Sequence, residues 1–314
     1  MNLALAAAGT SVRTAAALSP RWGAAVAMPL FGHVAKPRPV HADDEATMLR
    51  ARLGTVRIPG IARRGVDVDT YEWGHGPRTV VLSHGWNGRA SQFSLLVREL
   101  VAEGYRVVSF DAPAHGASGG RRTYLVDWLG VFAALQERHG AFEAMIGHSF
   151  GGLATLVGVA GGVDAARVAT IAAPADADLL LSQFQGILGY PDTVAASMRE
   201  LFASRYFPGE PDPFAWLSTV RRPLPAGVPL LAVHDHGDRV VPFDEAGRIV
   251  AANPGSEMLA TTGLGHNRIL TDDAVLDAVL EHVRASRAVA TRGLAAEVAP
   301  VEVGPVEEFS AVAA

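Results

Sequence analysis

The 314-residue chain contains no cysteine, which excludes disulfides, thiolate nucleophiles and cysteine-ligated zinc or iron–sulfur centres. Any nucleophile must be an oxygen or an amine. Charge is also sparse, at 19% of residues, and nearly balanced: 27 Lys and Arg stand against 32 Asp and Glu, a formal net charge of −5. That balance lacks the basic footprint of a nucleic-acid-binding surface, and no nucleic-acid partner is expected. Hydrophobic residues make up 49% of the chain, yet no run approaches the roughly 20 uninterrupted apolar residues of an integral membrane span. The composition is that of a protein with a large buried core.

Acidic residues are missing from Met1 to His41, whereas Arg13, Arg21, Lys36 and Arg38 are basic. The apolar stretches here are broken by Arg13, Pro20, Arg21 and Pro29, and no positive charge precedes them as it would in a secretory signal. Residues 11–34 read as one or two short amphipathic helices packed on the domain, within an N-terminal extension over residues 1–50. Peripheral membrane contact and a processed leader are the alternatives, and the weak targeting signal makes a cytoplasmic location the expectation. Residues 288–314 carry Glu297, Glu302, Glu307 and Glu308 with no long apolar period, and read as a flexible tail.

Between these ends, β-rich runs alternate with helical spacing. Val66 to Trp73, Thr79 to Ser83, Arg106 to Phe110, Ala144 to Gly147, Val168 to Ala172, Pro229 to His234 and Glu257 to Thr261 read as strands, most of them apolar on both faces as buried parallel strands are. Gln92 to Glu103, Tyr124 to His139, Gly152 to Ala160, Phe243 to Ala252 and Asp272 to Ala285 have helical periodicity, with Ser91 and Thr271 as candidate N-caps. This is an α/β core over residues 51–174 and 228–287. Residues 175–227 interrupt the rhythm with two helical pieces and a proline-rich stretch, and read as a small helical cap inserted between strands.

The chain reads Ala144-Met145-Ile146-Gly147-His148-Ser149-Phe150-Gly151-Gly152 at the junction of a strand and a helix. Gly-x-Ser-x-Gly in that setting is a turn so sharp that side chains two residues either side of the serine would collide. The strained turn presents Ser149 Oγ above the sheet edge, where a base can activate it. A serine that merely caps the helix is the plainer reading of the same five residues. After an earlier strand comes His84-Gly85-Trp86-Asn87-Gly88, where the Trp86 N–H can be aimed with the Phe150 N–H at a developing oxyanion. Trp86 serves equally well as a pocket wall or a core aromatic, and His84 reads as structural.

Downstream, His234-Asp235-His236-Gly237-Asp238-Arg239-Val240-Val241-Pro242 ends a strand, and Gly263-Leu264-Gly265-His266 forms a loop near the same edge. A carboxylate at a strand end can orient a histidine, which makes Asp238 or its neighbour Asp235 the candidate acid and His266 the candidate base. His234, His236 and Asp238 also suggest a metal, but an extended strand end does not enclose a cation without a further ligand, and no metal is expected. Gly116 to Gly120 form no dinucleotide-binding turn and no phosphate-binding loop occurs, so no cofactor is expected.

Residues from about 65 to 286 resemble the α/β-hydrolase superfamily through Ser83-His84-Gly85-Trp86, Asp111-Ala112-Pro113-Ala114-His115-Gly116-Ala117-Ser118, Gly147-His148-Ser149-Phe150-Gly151, Asp238-Arg239-Val240-Val241-Pro242 and Gly265-His266. The resemblance is to a serine esterase or lipase-like member with a small cap. It implies an α/β-hydrolase fold with a mostly parallel eight-stranded sheet, a Ser149–His266–Asp238 triad and oxyanion donors at Trp86 and Phe150. The family pattern after the fourth strand usually has glycine where this chain has Ala114, a variation in a structural loop, so Asp111, His115 and Ser118 are not carried over as catalytic. The activity implied is hydrolysis of small-molecule carboxylic esters with short to medium acyl chains. Perhydrolase or haloperoxidase chemistry, an amidase or thioesterase, and a noncatalytic binding protein are the alternatives. Oligomeric state is not legible.

Overall fold

The computed structural model describes residues 3–37, 39–61 and 64–285; the expected tail over 288–314 lies outside them. Eight strands form one sheet: β1 (Arg52–Ile58), β2 (Val66–Trp73), β3 (Thr79–Ser83), β4 (Arg106–Phe110), β5 (Ala144–His148), β6 (Val168–Ile171), β7 (Leu230–Asp235) and β8 (Glu257–Thr261). Their spatial order is β1-β2-β4-β3-β5-β6-β7-β8. β2 runs antiparallel to both β1 and β4, and every other pair is parallel. This is the mostly parallel, helix-flanked α/β-hydrolase fold that the sequence implies.

β3, β5, β6 and β7 are buried along their whole length, as Thr-Val-Val-Leu-Ser or Leu-Leu-Ala-Val-His demands of a strand with helices on both faces. The edge strands differ. β1 hides only Val56 and Ile58 and exposes Arg52 and Arg57, a charged edge that resists pairing with other chains. No single-strand signal marks it, because its inward positions are few and Gly54 interrupts them.

The helices are α1 (Leu3–Leu18), α2 (Pro20–Phe31), α3 (Ala42–Met48), α4 (Ser94–Ala102), α5 (Leu125–His139), α6 (Phe150–Ala160), α7 (Ala177–Leu188), α8 (Asp192–Tyr206), α9 (Pro213–Trp216), α10 (Asp244–Ala252), α11 (Gly265–Arg268) and α12 (Asp273–Arg284). α5 and α6 share one hydrophobic cluster with one sheet face, and α4 and α12 share another with the opposite face. Two expected caps are corrected. Ser91 sits inside a short 3₁₀ turn, Ala90–Phe93, whose first N–H is taken by the distant Asp111 carboxylate at 2.8 Å. Thr271 ends a second 3₁₀ turn, and it is Asp272 that accepts the Val275 N–H to start α12.

α1 and α2 form a hairpin that turns at Ser19, and it packs on helices from the segment between β6 and β7: α1 against α7, and α2 against α8. Small residues allow the close approach. A Cβ on Gly9 would strike the Leu188 carbonyl, and one on Gly23 would meet Ala16 and Val194. Arg13 donates to the Leu188 carbonyl at 2.8 Å, and the Tyr124 hydroxyl donates to the Met28 carbonyl at 2.9 Å, which ties the hairpin to the start of α5. Four helices from two distant parts of the chain thus lie together over the sheet edge.

Two backbone positions carry opposite predictions. A Cβ on Gly151 would strike the Ser83 and His84 carbonyls, which are backbone and cannot yield. Gly151→Ala should lower stability by about 3 kcal/mol in urea unfolding. Ala114 instead holds φ +66°, a left-handed conformation strained for any residue with a Cβ. Ala114→Gly should raise stability by about 1 kcal/mol in the same measurement.

Candidate active site

Ser149 links β5 to α6 with φ +53° and ψ −123°, the strained geometry that projects a side chain away from the sheet. Two glycines make this turn fit. A Cβ on Gly147 would overlap Gly151, and one on Gly151 would overlap the end of β3. The Ser149 N–H is held by the Ile171 carbonyl at 2.9 Å.

His266 Nε2 lies 2.9 Å from Ser149 Oγ, and its Nδ1 lies 2.7 Å from Asp238 Oδ2. With Nδ1–H donated to Asp238, Nε2 is left to accept the serine hydroxyl. The structure therefore brings together the three residues that the sequence singled out. The Asp238 side chain is fully enclosed. Burial pushes its carboxyl up, but hydrogen bonds from His234 and His266 and from the N–H groups of Val241 and Val240 outweigh burial and hold it well below the usual carboxylate range.

Asp235 faces elsewhere. It accepts from the Thr261 hydroxyl at 2.8 Å and from the N–H groups of Leu264 and Gly237 at 2.9 and 2.8 Å. Burial raises its pKa, and these donors overcome it, bringing the carboxyl down to about 2. Asp235 fastens the loop that carries His266. His148 acts on the same loop: its Nε2–H donates to the His266 carbonyl at 2.9 Å, while Gln92 donates to its Nδ1 at 3.1 Å. Burial, assisted by the neighbouring His266, pushes His148 down to about 3 and keeps it neutral. Both brace the loop from outside the Ser149–His266–Asp238 line, a role that no local sequence signal marks.

The loop after β3 passes so close that a Cβ on Gly85 would meet Ser149 Cβ at 2.9 Å. Trp86 follows, its ring edge-on to Phe150 at 5.2 Å. Among the described residues neither the Trp86 nor the Phe150 N–H has a hydrogen-bond acceptor; for Phe150 this follows from its place at the first turn of α6. His84 accepts the Ala112 N–H at Nε2 and donates from Nδ1 to the Gly85 carbonyl, and burial keeps it neutral. His115 accepts the Asn87 N–H at 3.0 Å. Asp111 collects the N–H groups of Ala90 and Ala117 and the Tyr71 hydroxyl, while Ser118 bonds the Asp111 carbonyl and Asp69 N–H. These residues lock the loop that carries Trp86.

Of the residues weighed as metal ligands, His234 bonds the Val241 carbonyl at 3.0 Å, and the His236 ring stacks on Phe243 at 3.8 Å. Among the described residues no group of three or more His, Asp or Glu side chains is placed to hold a metal ion.

Ser149 opens into a cavity of about 270 Å³. Leu180, Phe184, Ile187 and Phe202 reach it from α7 and α8, Val240 and Val241 from the loop after β7, and Phe31 from the N-terminal hairpin. Among the described residues no charged side chain lines it. Leu181, Leu188 and Phe214, from the same segment between β6 and β7, are spent on packing. Phe31, by contrast, is a wall that no local sequence signal announces.

The family model described as "Alpha/beta hydrolase family" matches residues 80–293. No curated protein matches the sequence. Among solved structures, an esterase of Pyrococcus furiosus superposes with a TM-score of 0.57 at 20% identity, covering 81% of this chain and 100% of that one. An esterase from Rhodococcus sp. ECU1013 gives 0.53 at 20% identity over 75% and 99% of the two chains, and a bromoperoxidase from Bacillus anthracis gives 0.53 at 17% over 73% and 99%. At such identities these neighbours speak for the fold alone. No described helix is long and apolar enough to cross a membrane. With the family match extending from β3 through the last helix, across the turn at Ser149 and the loop of His266, the chain belongs to the alpha/beta hydrolase family.

Proposed function

We propose that this hydrolase cleaves small-molecule carboxylic esters through a Ser149–His266–Asp238 triad and an acyl-enzyme intermediate. The observation that carries the reading is the unbroken line of hydrogen bonds from Asp238 through His266 to Ser149 Oγ, at 2.7 and 2.9 Å, opening into an apolar cavity. Ser149 attacks the ester carbonyl as His266 Nε2 takes its proton. Asp238 holds the imidazole in the required tautomer and stabilises its charged form. The N–H groups of Trp86 and Phe150 serve as oxyanion donors, each contributing about 3 kcal/mol to the developing charge. His266 then returns the proton to the departing alkoxide, and water attacks the acyl-enzyme with the same base.

The cavity supports a neutral, apolar acyl or alkyl group of short to medium length. Its walls come from both the insertion and the hairpin, and the polar Gln183 at its rim donates its amide to the Val240 carbonyl at 2.6 Å. A charged acyl group would find no counterion there.

Hydrolysis of p-nitrophenyl acetate, butyrate, octanoate and palmitate should be greatest at butyrate or octanoate, and Ser149→Ala should abolish both turnover and fluorophosphonate labelling while leaving the fold intact. Labelling of the variant at full stoichiometry would move the nucleophile elsewhere. Phe31→Ala should raise the octanoate-to-butyrate ratio of kcat/KM about ten-fold by lengthening the cavity.

Asp238→Asn should lower kcat about 10³- to 10⁴-fold with little change in KM. The native Asp238 pKa lies below its unfolded value, so its stabilisation is present above the ordinary Asp pKa of about 4 and is lost as pH falls towards the native value. The stability gap between wild type and Asp238→Asn should therefore be full near pH 7 and close in acid, measured by urea unfolding across that range.

A further inference from the structure

We propose that the outer face of the N-terminal hairpin seats this enzyme on an anionic lipid surface, with the mouth of the active-site cavity at the interface. α2 is apolar on both sides. Gly23, Ala24, Ala27 and Met28 are buried on its inner face. Trp22, Val26 and Leu30 recur every four residues on the outer face, continued by Leu18 at the end of α1, and all four are exposed, Trp22 by 61% and Leu18 by 75%. A helix that is apolar all round belongs in a core or at a membrane, not half in water.

The exposure is concentrated. Half of the large exposed apolar side chains among the described residues lie on the hairpin, and Ile187 and Val240, which line the cavity holding Ser149, are exposed as well. Leu30 precedes Phe31, itself a wall of that cavity. Apolar surface thus runs from the hairpin to the nucleophile.

Charge selects the occupant. No Asp or Glu precedes Asp43, and exposed Arg21 lies beside the stripe. At the other end of α2, the backbone of His33 bridges that of exposed Arg122, and Arg205 approaches the Tyr206 ring, which packs on Tyr124. Of the acidic residues on the helices the hairpin packs against, Asp178 is paired with Arg199 and Arg221 and Asp192 accepts from Gln185, with Glu200 on the same α8. A second copy would set like charges against each other, whereas anionic headgroups complement them. Tryptophan on a basic, apolar helix face is suited to the headgroup boundary. Delivery of substrate from the lipid rests on the ester-hydrolase reading; the docking itself does not.

The test is sedimentation of the full chain with extruded vesicles of phosphatidylcholine alone and of phosphatidylcholine with phosphatidylglycerol in equal parts. Wild type should bind the anionic vesicles, more weakly as salt is raised, and Trp22→Ser/Val26→Ser should reduce the partition coefficient by about ten-fold or more. The double variant should keep its circular dichroism, its thermal midpoint and its kcat/KM on p-nitrophenyl butyrate. Failure of wild type to bind either vesicle would overturn the proposal, as would equal binding by the variant. A wild-type dimer in light scattering that the variant turns into a monomer would overturn it too, by assigning the face to a second copy. Vesicle binding by a chain that hydrolyses no ester would uphold the docking and discard the ester reading alone.

Discussion

The turn at Ser149 is the constraint from which the rest of the site follows. A serine held at positive φ between a buried strand and a buried helix is tenable only if the backbone beside it carries no Cβ. Gly147 and Gly151 meet that condition, and in meeting it they bring the end of β3 into van der Waals contact with the turn. The loop after β3 passes directly over the turn, close enough that a Cβ on Gly85 would meet the Ser149 Cβ, and it carries Trp86 against the Phe150 ring. One strained turn thus ties Ser149 to the loop that carries Trp86.

Buried carboxylates carry the next level of organisation. Asp111 gathers N–H groups from two loops and a tyrosine hydroxyl, and Asp235 gathers them from the loop of His266. Neither takes part in proton transfer in the proposed mechanism. Each satisfies backbone donors that would otherwise be buried unpaired, and so fixes a loop with little room to shift. Asp238 uses the same chemistry on Val240 and Val241 and has one oxygen left for His266. The difference between a fastening carboxylate and one facing the imidazole is three residues of sequence.

The central strands were legible because both of their faces are buried, which forces a continuous apolar run. β1 was not, because an edge strand buries few residues and its charged positions resemble a loop. The caps at Ser91 and Thr271 were misread for a related reason: the acceptor that starts one turn comes from Asp111, far along the chain, and the other belongs to the next residue, Asp272. Ser149 and His266 stood out through glycines that only a tight turn needs. Asp235 and Asp238 were both candidates, and the distance to His266 Nδ1 separates them. Phe31 carried no local signal at all, since its place in the cavity depends on α2 meeting α7 and α8 across most of the chain.

That last contact has a bearing on how the molecule is made. The hairpin leaves the ribosome before the helices it packs on, which follow about 150 residues later, and at ordinary synthesis rates the delay is on the order of ten seconds. Through that interval Gly23, Ala24, Ala27 and Met28 have no α8 to face, and both sides of α2 stand open to water. The layer over the candidate site therefore cannot close until α8 has been made, and until then the nascent chain carries an uncovered apolar helix that is in need of a chaperone.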